Sequence, residues 1–216
     1  MESRLFDPEH APDSSYMNAL IKGLKIFDGH LGKVEQSEES RKYGCFQYVS
    51  FDENKFFLQM SKVIKTLEIL GCRGRAKFLD VGCGIGTKVF LASSLFTKAD
   101  GIEFDDNYIT IAREIVKGSR INLVQNISLF KRDALSFSYY SHYDIIYLYR
   151  PFHDSEKQNK LEEKIMCNAK ENTIIVGTLC NFYALPENLR PKTIFTNGYL
   201  KTTDEQLLEK VKKELR

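Results

Sequence analysis

The sequence predicts an α/β fold: a doubly wound, mostly parallel sheet with a small helical cap at its N-terminus. After Arg75, short apolar segments alternate with stretches of helical periodicity. Strands that alternate with helices form right-handed β-α-β crossovers, which produce a parallel sheet covered on both faces. A glycine-rich segment joins the first of these strands to the following helix, at the edge where open α/β sheets bind ligands. We therefore predict a cap or arm in residues 1–72 and the sheet domain in residues 73–216.

The cap is predicted mainly from helical periodicity. Apolar positions recur with helical spacing from Ser14 to about Phe27, whereas residues 33–44 are polar and are expected to form a connector. Ser50 and Glu53 have the spacing of a capping box, in which each side chain satisfies a backbone amide at the start of a helix. An apolar face follows, and Gly71 is predicted to end that helix.

The sheet domain is predicted from short apolar segments and the amphipathic stretches between them. The expected strands are Lys77–Val81, Ala99–Glu103, Ile127–Lys131, Asp144–Tyr149 and Thr173–Leu179, with one or two late strands in Thr193–Thr202. The expected helices are Lys88–Phe96, Tyr108–Val116, Ser155–Asn168 and Glu205–Leu215.

Composition excludes several classes of protein. Of the 216 residues, 43% are apolar and 28% are charged, which is typical of a soluble globular domain. The apolar segments are far shorter than the roughly 20 residues of a transmembrane helix, and the N-terminus lacks a signal-peptide pattern. We therefore expect a cytoplasmic protein with no membrane partner. A net charge of +2 gives no support to nucleic acid, which remains a possible partner.

The thiols and imidazoles show no pattern of metal ligands. The five cysteines are odd in number, and no two of them have the spacing of a zinc ribbon. His10, His30 and His142 have no ligand spacing among themselves or with the cysteines. We expect reduced thiols and no metal site.

The segment Asp80–Gly86 carries the strongest functional signal. Three glycines in five residues, Gly82, Gly84 and Gly86, predict a turn whose backbone adopts unusual dihedral angles or approaches a ligand closely. A dinucleotide loop has the spacing G-x-G-x-x-G, whereas here it is G-x-G-x-G. Asp80 precedes the first glycine by two residues, where a carboxylate would repel a pyrophosphate but could help to hold an ammonium group. Spacing and charge thus favour a cationic ligand.

With this motif, acid-x-G-x-G-x-G, about residues 50–180 resemble the class I S-adenosylmethionine-dependent methyltransferases. The resemblance implies a Rossmann-like sheet of seven strands, S-adenosyl-L-methionine as methyl donor and S-adenosyl-L-homocysteine as product. The residues that it assigns to the cofactor are Asp80, Gly82, Cys83, Gly84, Gly86, Glu103, Phe104, Asp133 and Ala134.

Each assignment has a chemical role in the resemblance. Glu103 ends the second predicted strand, where a carboxylate accepts hydrogen bonds from the ribose hydroxyls. Phe104 is suited to packing on the purine, and Asp133 with Ala134 follows the third strand beside the adenine amino group. Cys83 is expected to contribute its backbone rather than a nucleophilic thiol.

The resemblance places the methyl acceptor at the end of the fourth strand, near Tyr149, Arg150 and His153. Family members that methylate exocyclic base nitrogens carry Asn or Asp, two prolines and an aromatic residue here. In this chain Arg150 and a single proline replace that pattern, which disfavours an adenine or cytosine acceptor. Arg150 could hold a carboxylate or phosphate, and His153 has a pKa suited to a general base. A salt-bridge role for Arg150 and a structural role for His153 are the alternatives.

Three functions are consistent with these residues. The first is a methyltransferase acting on a nitrogen or oxygen nucleophile of a protein or small-molecule acceptor. The second is a cofactor-binding module without catalysis that acts through a partner protein, a hypothesis motivated by Arg150. The third is a nicotinamide-dependent oxidoreductase, which would need a pyrophosphate on the glycine-rich segment. Tyr48 is expected either to cover the cofactor or only to pack against the helix that follows it.

Overall fold

A sheet of seven strands forms the centre of the molecule, in the order β3-β2-β1-β4-β5-β7-β6. The computed structural model describes residues 29, 33–49, 52–118 and 126–216. Strands β1 to β5 are parallel, whereas β7 is antiparallel to both β5 and β6. The strands are β1 Lys77–Val81, β2 Lys98–Glu103, β3 Ile127–Lys131, β4 Ile145–Tyr149, β5 Thr173–Thr178, β6 Lys192–Phe195 and β7 Gly198–Lys201.

Helices cover both faces of this sheet. The described helices are α1 Glu38–Tyr43, α2 Glu53–Ile69, α3 Thr87–Ser93, α4 Asp106–Gly118, α5 Ser155–Asn168 and α6 Glu205–Leu215. One apolar core joins the sheet to α2, α3, α4 and α6, and a second joins it to α5 and the short 3-10 helix Tyr140–His142. This arrangement confirms the predicted doubly wound α/β fold with a mostly parallel sheet of seven strands.

The predicted elements of the sheet domain agree closely with the structure. The bounds of β1, β3, α5 and α6 are the predicted ones, and the other predicted strands and helices differ by a few residues. The late strand region folds as two antiparallel strands, β6 and β7, joined at Asn197, whose φ is +62°.

The connector predicted over residues 33–44 is wrong, because helix α1 lies within it. The Ser37 side chain accepts a hydrogen bond from the Ser40 backbone amide, and Gly44 ends the helix in the left-handed conformation. Two acidic residues occupy its first turn and two basic residues its last turn, which suits the helix dipole. The capping residues and the charged residues of α1 lie within or next to the helix in the sequence. The helix was not predicted because it lacks the apolar stripe by which longer helices are recognised.

The capping box is also corrected. Helix α2 begins at Glu53, and its N-cap is Asp52, whose carboxylate accepts from the amides of Asn54 and Lys55. The Asp52 carboxylate, adjacent to the first turn, therefore takes the capping role that was expected of Ser50, on different amides. Ser50 lies outside the described residues, as does the helix predicted from Ser14 to Phe27. Gly71 ends α2 as predicted, with φ +66° and its amide donating to the Glu68 carbonyl.

Residues 37–49 cross the edge of the sheet where the parallel strands end, and we call this segment the strap. The Phe46 amide donates to the Pro151 carbonyl over 2.9 Å, and the His153 amide donates to the Gly44 carbonyl over 3.1 Å. At the start of the strap, Ser37 donates from its amide and hydroxyl to the Asp105 carboxylate. The strap is thereby joined to loops on both sides of β1.

The domain boundary at residues 72/73 stays a prediction.

Among the described residues, none of the helices combines the length and the apolar character needed to cross a bilayer.

Candidate cofactor and acceptor site

The loop between β1 and α3 owes its shape to three glycines. Gly82, Gly84 and Gly86 have φ values of +75°, +56° and +87°, which a side chain would strain. The amides of Gly82 and Cys83 both donate to the Ile102 carbonyl, so the loop turns over the end of β2. The Cys83 side chain is buried, and its sulfur lies 2.7 Å from where a Cβ on Gly101 would stand. Burial holds the pKa of Cys83 well above its usual value, so the thiol is structural.

Glu103, at the end of β2, fixes this loop to the neighbouring one. One carboxylate oxygen accepts from the Gly84 amide, and the other accepts from the amides of Phe104 and Asp105, each over 2.8 Å. Two carboxylate oxygens offer about four lone-pair sites, so one site is left for a ligand hydroxyl. Burial raises the pKa of Glu103, while the three amides act in the opposite sense. Glu103 is therefore a structural acceptor first and a ligand acceptor second.

Asp80 is a buried carboxylate on β1. Neither of its oxygens has a hydrogen-bond partner among the residues that the structure describes. Burial raises its pKa to about 6, and the charge of Lys88 on α3 acts in the opposite direction. A buried acceptor of this kind favours a cationic donor nearby. Lys88 was not singled out from the sequence, because a lysine two residues after a glycine loop is usually solvated.

A cavity of about 250 Å³ lies at this edge of the sheet. Among the residues expected at the cofactor, it brings together Gly82, Gly84, Glu103, Phe104 and Ala134, with Tyr149 and Arg150 of the expected acceptor site. Residues that the cavity lining does not include are Asp80, Cys83, Gly86, Asp133 and His153. The ends of the five parallel strands and the strap therefore enclose one space.

Comparison with protein families decides which fold family this is. A family model described as a methyltransferase domain matches residues 73–216, which is about two thirds of the chain. The chain belongs to that methyltransferase family. The membership predicted from the glycine motif is confirmed, and with it the expected methyl donor, S-adenosylmethionine.

Solved structures resemble parts of this methyltransferase. The YcgJ protein of Bacillus subtilis is 20% identical with a TM-score of 0.42, over 53% of this chain and 49% of that one. An RNA methyltransferase of Salinibacter ruber, in complex with S-adenosyl-L-homocysteine, is 17% identical with a TM-score of 0.49, over 66% and 92%. The methyltransferase thus spans about half the length of the Bacillus protein. No curated protein matches the chain in sequence.

The strap covers the methyltransferase's glycine loop. A Cβ on Gly84 would stand 2.2 Å from the ring of Tyr48, so the ring lies directly on the loop backbone. The Tyr48 hydroxyl is 3.3 Å from the Thr87 hydroxyl. The backbone amide of Tyr48 donates to the Tyr108 hydroxyl. Tyr48 thus covers the glycine loop and also packs against the core that includes the following helix, and its role as a cover of the cofactor stays a prediction.

At the other end of the cavity, the methyltransferase departs from favourable backbone geometry. Arg150 directly follows β4 with φ +30°, and Leu179 directly follows β5 with φ +57°. The two strand ends are paired, and the Arg150 guanidinium donates to the Leu179 carbonyl and to the Ser155 hydroxyl. Non-glycine residues with such angles carry strain, which is concentrated at functional sites.

His153 lies apart from the cavity lining. Its ring contacts Phe46 of the strap edge-on, with 5.7 Å between the centroids. Its amide is also bonded to the strap. In this structure His153 therefore contacts the strap, and a role as general base stays a prediction.

Proposed function

We propose that this methyltransferase transfers a methyl group from S-adenosylmethionine to an oxygen or nitrogen nucleophile of a small-molecule or protein acceptor. The observation that carries the proposal is that the glycine loop, Glu103 and the strained end of β4 enclose one cavity. Membership in the family supplies the reaction class.

The residues of the loop fit this cofactor. Gly82 and Gly84 at positive φ permit close approach to the loop backbone, and in this structure Pro151 and the Tyr48 ring lie where a Cβ would stand. Glu103 retains one lone-pair site for a ribose hydroxyl. Asp80, a buried carboxylate outside the cavity lining, would attract the ammonium group at the amino-acid end of the cofactor. When bound, S-adenosylmethionine supplies an electrophilic methyl group, which the acceptor's lone pair takes as the carbon–sulfur bond breaks, leaving S-adenosylhomocysteine.

The protein's contribution to such a displacement is positioning and exclusion of water. Tyr149 and Arg150 line the cavity and extend to its exposed mouth. Three exposed apolar side chains gather at this mouth, namely Phe46, Val49 and Leu179. Few other described positions expose a large apolar side chain. An exposed apolar cluster with a few polar groups is typical of a ligand-binding mouth.

Charge at this mouth supports an anionic group on the acceptor. Near the mouth the cavity lining carries Arg132 and Arg150, whereas Lys88 is buried beside Asp80, and the Glu103 carboxylate is already bonded to three amides. A guanidinium binds carboxylate or phosphate through two parallel hydrogen bonds. We propose that Arg150 holds such a group while the acceptor's apolar part lies on Phe46 and Leu179. The flat overall charge gives no support to RNA or DNA as the acceptor.

Calorimetric titration with S-adenosylhomocysteine is the first test, with reduced nicotinamide dinucleotide as control. Micromolar binding of the former alone supports the proposal, and binding of the dinucleotide alone would establish an oxidoreductase instead. Release of S-adenosylhomocysteine from S-adenosylmethionine in the presence of a panel of apolar carboxylates and phosphates then tests turnover. Tight cofactor binding without turnover on any acceptor would favour the cofactor-binding module.

A further inference from the structure

Four side chains contact Tyr43, the last residue of α1, and one of them is Phe152, whose ring lies edge-on with 5.9 Å between centroids. The Tyr43 ring stacks on Phe104, with 4.4 Å between centroids and 23° between planes. Its hydroxyl donates to a carboxylate oxygen of Asp133 over 3.0 Å. The Lys157 ammonium lies 3.9 Å over the same ring. Two groups this close over one ring cannot share a face, so Tyr43 is sandwiched between Phe104 and Lys157.

These contacts occupy the groups that the purine of the cofactor needs. Phe104 is the ring expected to pack on the purine, and Asp133 is the acceptor expected for its amino group. The other oxygen of Asp133 already accepts from the Leu135 amide over 2.9 Å. A planar ring that carries a hydrogen-bond donor at its edge describes both adenine and tyrosine. Tyr43 therefore presents the chemistry of adenine to Phe104 and Asp133.

We propose that Tyr43 occupies the purine subsite of the free protein, and that binding of the cofactor displaces it. The inference rests on the proposed function, since it takes S-adenosylmethionine as the ligand. Burial and the Asp133 carboxylate raise the pKa of Tyr43 to about 12, so the hydroxyl remains a donor at neutral pH. The cavity volume agrees: about 250 Å³ is below the roughly 300–1,000 Å³ of pockets that enclose ligands of this size.

The position of Tyr43 allows it to leave without unfolding the sheet. It belongs to a short helix on the surface, is only partly buried, and is followed by Gly44 in the left-handed conformation. The strap's other bonds, from Ser37 to Asp105 and from Phe46 to Pro151, do not pass through the tyrosine ring. Rotation of one side chain and opening of the last turn of α1 would free both Phe104 and Asp133.

Competition of this kind lowers the apparent affinity for the cofactor. When only a fraction of the protein is open, the measured dissociation constant rises by the inverse of that fraction. Removing the competing ring should therefore strengthen binding. For Tyr43→Ala we expect the dissociation constant for S-adenosylhomocysteine to fall about tenfold. Tyr43→Phe keeps the stack and loses the bond to Asp133, so a smaller gain is expected.

Calorimetry on the full chain tests this, with Tyr139→Ala as the matched control. Tyr139 is an exposed aromatic residue on the segment after Asp133, and it contacts Phe137 and His142 rather than the cavity. Its loss should leave affinity unchanged. Adenosine, the fragment that would compete with Tyr43, should show the same gain in Tyr43→Ala. Thermal unfolding of each variant verifies that the fold is retained.

Hydrogen exchange gives a second readout that needs no variant. Saturation of the wild-type chain with S-adenosylhomocysteine should speed exchange of the amides in residues 41–45, because α1 loses its contact with Phe104. Slower exchange there, together with weaker binding by Tyr43→Ala, would make Tyr43 a wall of the occupied site and overturn the proposal. Unchanged affinity in Tyr43→Ala would also overturn it, with the methyltransferase proposal intact. Absence of binding in every variant would remove both.

Discussion

The two sides of the cavity have the same unusual backbone angles on different residues. On the cofactor side, left-handed angles fall on Gly82, Gly84 and Gly86, where they are inexpensive. On the acceptor side they fall on Arg150 and Leu179, where a Cβ makes them costly. Adjoining strands of one sheet carry both sets.

The difference shows two ways of shaping a site. On the cofactor side local sequence suffices, because glycine permits the turn and Glu103 then fastens it to β2. On the acceptor side the turn is held by its surroundings, including the bond from Arg150 to the Leu179 carbonyl. Such strain persists only where the surrounding structure enforces it, and it is often found at functional sites. The role of Arg150 at the acceptor stays a proposal.

Among the variants that test this comparison, Gly84→Val should have the largest effect on stability and on cofactor binding. The valine must adopt φ +56° and would meet the Tyr48 ring, so strain and crowding act together. We expect the free energy of unfolding to fall by about 2–4 kcal/mol and S-adenosylhomocysteine binding to be lost. Chemical denaturation and calorimetry measure the two effects. Gly74→Val is the control, since Gly74 has open space around it, and an equal loss in both would contradict the assignment.

Glu103→Gln tests whether the carboxylate holds the loop. An amide replaces one oxygen by a donor, which leaves at least one of the three backbone amides unsatisfied. We expect a loss of about 2 kcal/mol in unfolding free energy and weaker cofactor binding. Exposed Glu163 on α5 provides the matched control, Glu163→Gln. Full stability with reduced binding would instead assign Glu103 to the ribose alone.

Asp80 predicts a pH dependence of stability. Its pKa in the folded protein, about 6, is above its ordinary value, so the folded state binds the proton more tightly than the unfolded state. The penalty for the buried charge is present in full above pH 6 and is relieved as pH falls from about 6 towards 4. The difference in unfolding free energy between wild type and Asp80→Asn should change across that window by about 3 kcal/mol. A difference independent of pH would show that Asp80 does not titrate there.

Leu179→Gly should have the smallest effect on the free energy of unfolding, and it should increase stability rather than reduce it. Glycine relieves the left-handed angle but gains freedom in the unfolded chain, so we expect a gain of about 0.5–1 kcal/mol. Asn197→Gly is the comparison, because Asn197 has a similar φ of +62° in a turn and tolerates it. Little change is expected there. Denaturation midpoints of the two variants decide whether the acceptor side is strained.

Most of the fold could be predicted from the pattern of apolar and polar residues alone. The strands β1 and β3 and the helices α5 and α6 have the predicted bounds, because continuous apolar segments and amphipathic spacing identify buried elements. Helix α1 was missed since its capping residues are ordinary polar residues and its six positions carry no apolar stripe. The two late strands had only a weak signal, because they pair with each other and with β5 rather than following a β-α-β pattern.

Part of the candidate site could be predicted from the sequence. The glycine motif and Glu103 stand at positions where sequence spacing has a direct meaning, and the structure places them in one cavity. Nothing in the sequence pointed to Tyr43 or Lys88. Their partners are distant in the chain: Asp133 lies 90 residues after Tyr43.

Sequence by itself determined the doubly wound fold, the family and the glycine turn, because each depends on local periodicity or on the conformational freedom of single residues. Tertiary structure alone decided that the strap crosses the site, that Tyr43 lies between Phe104 and Lys157, and that Arg150 and Leu179 adopt left-handed angles. Those features depend on contacts between segments far apart in the chain. Their energies come from packing and hydrogen bonds that exist only once the sheet has formed.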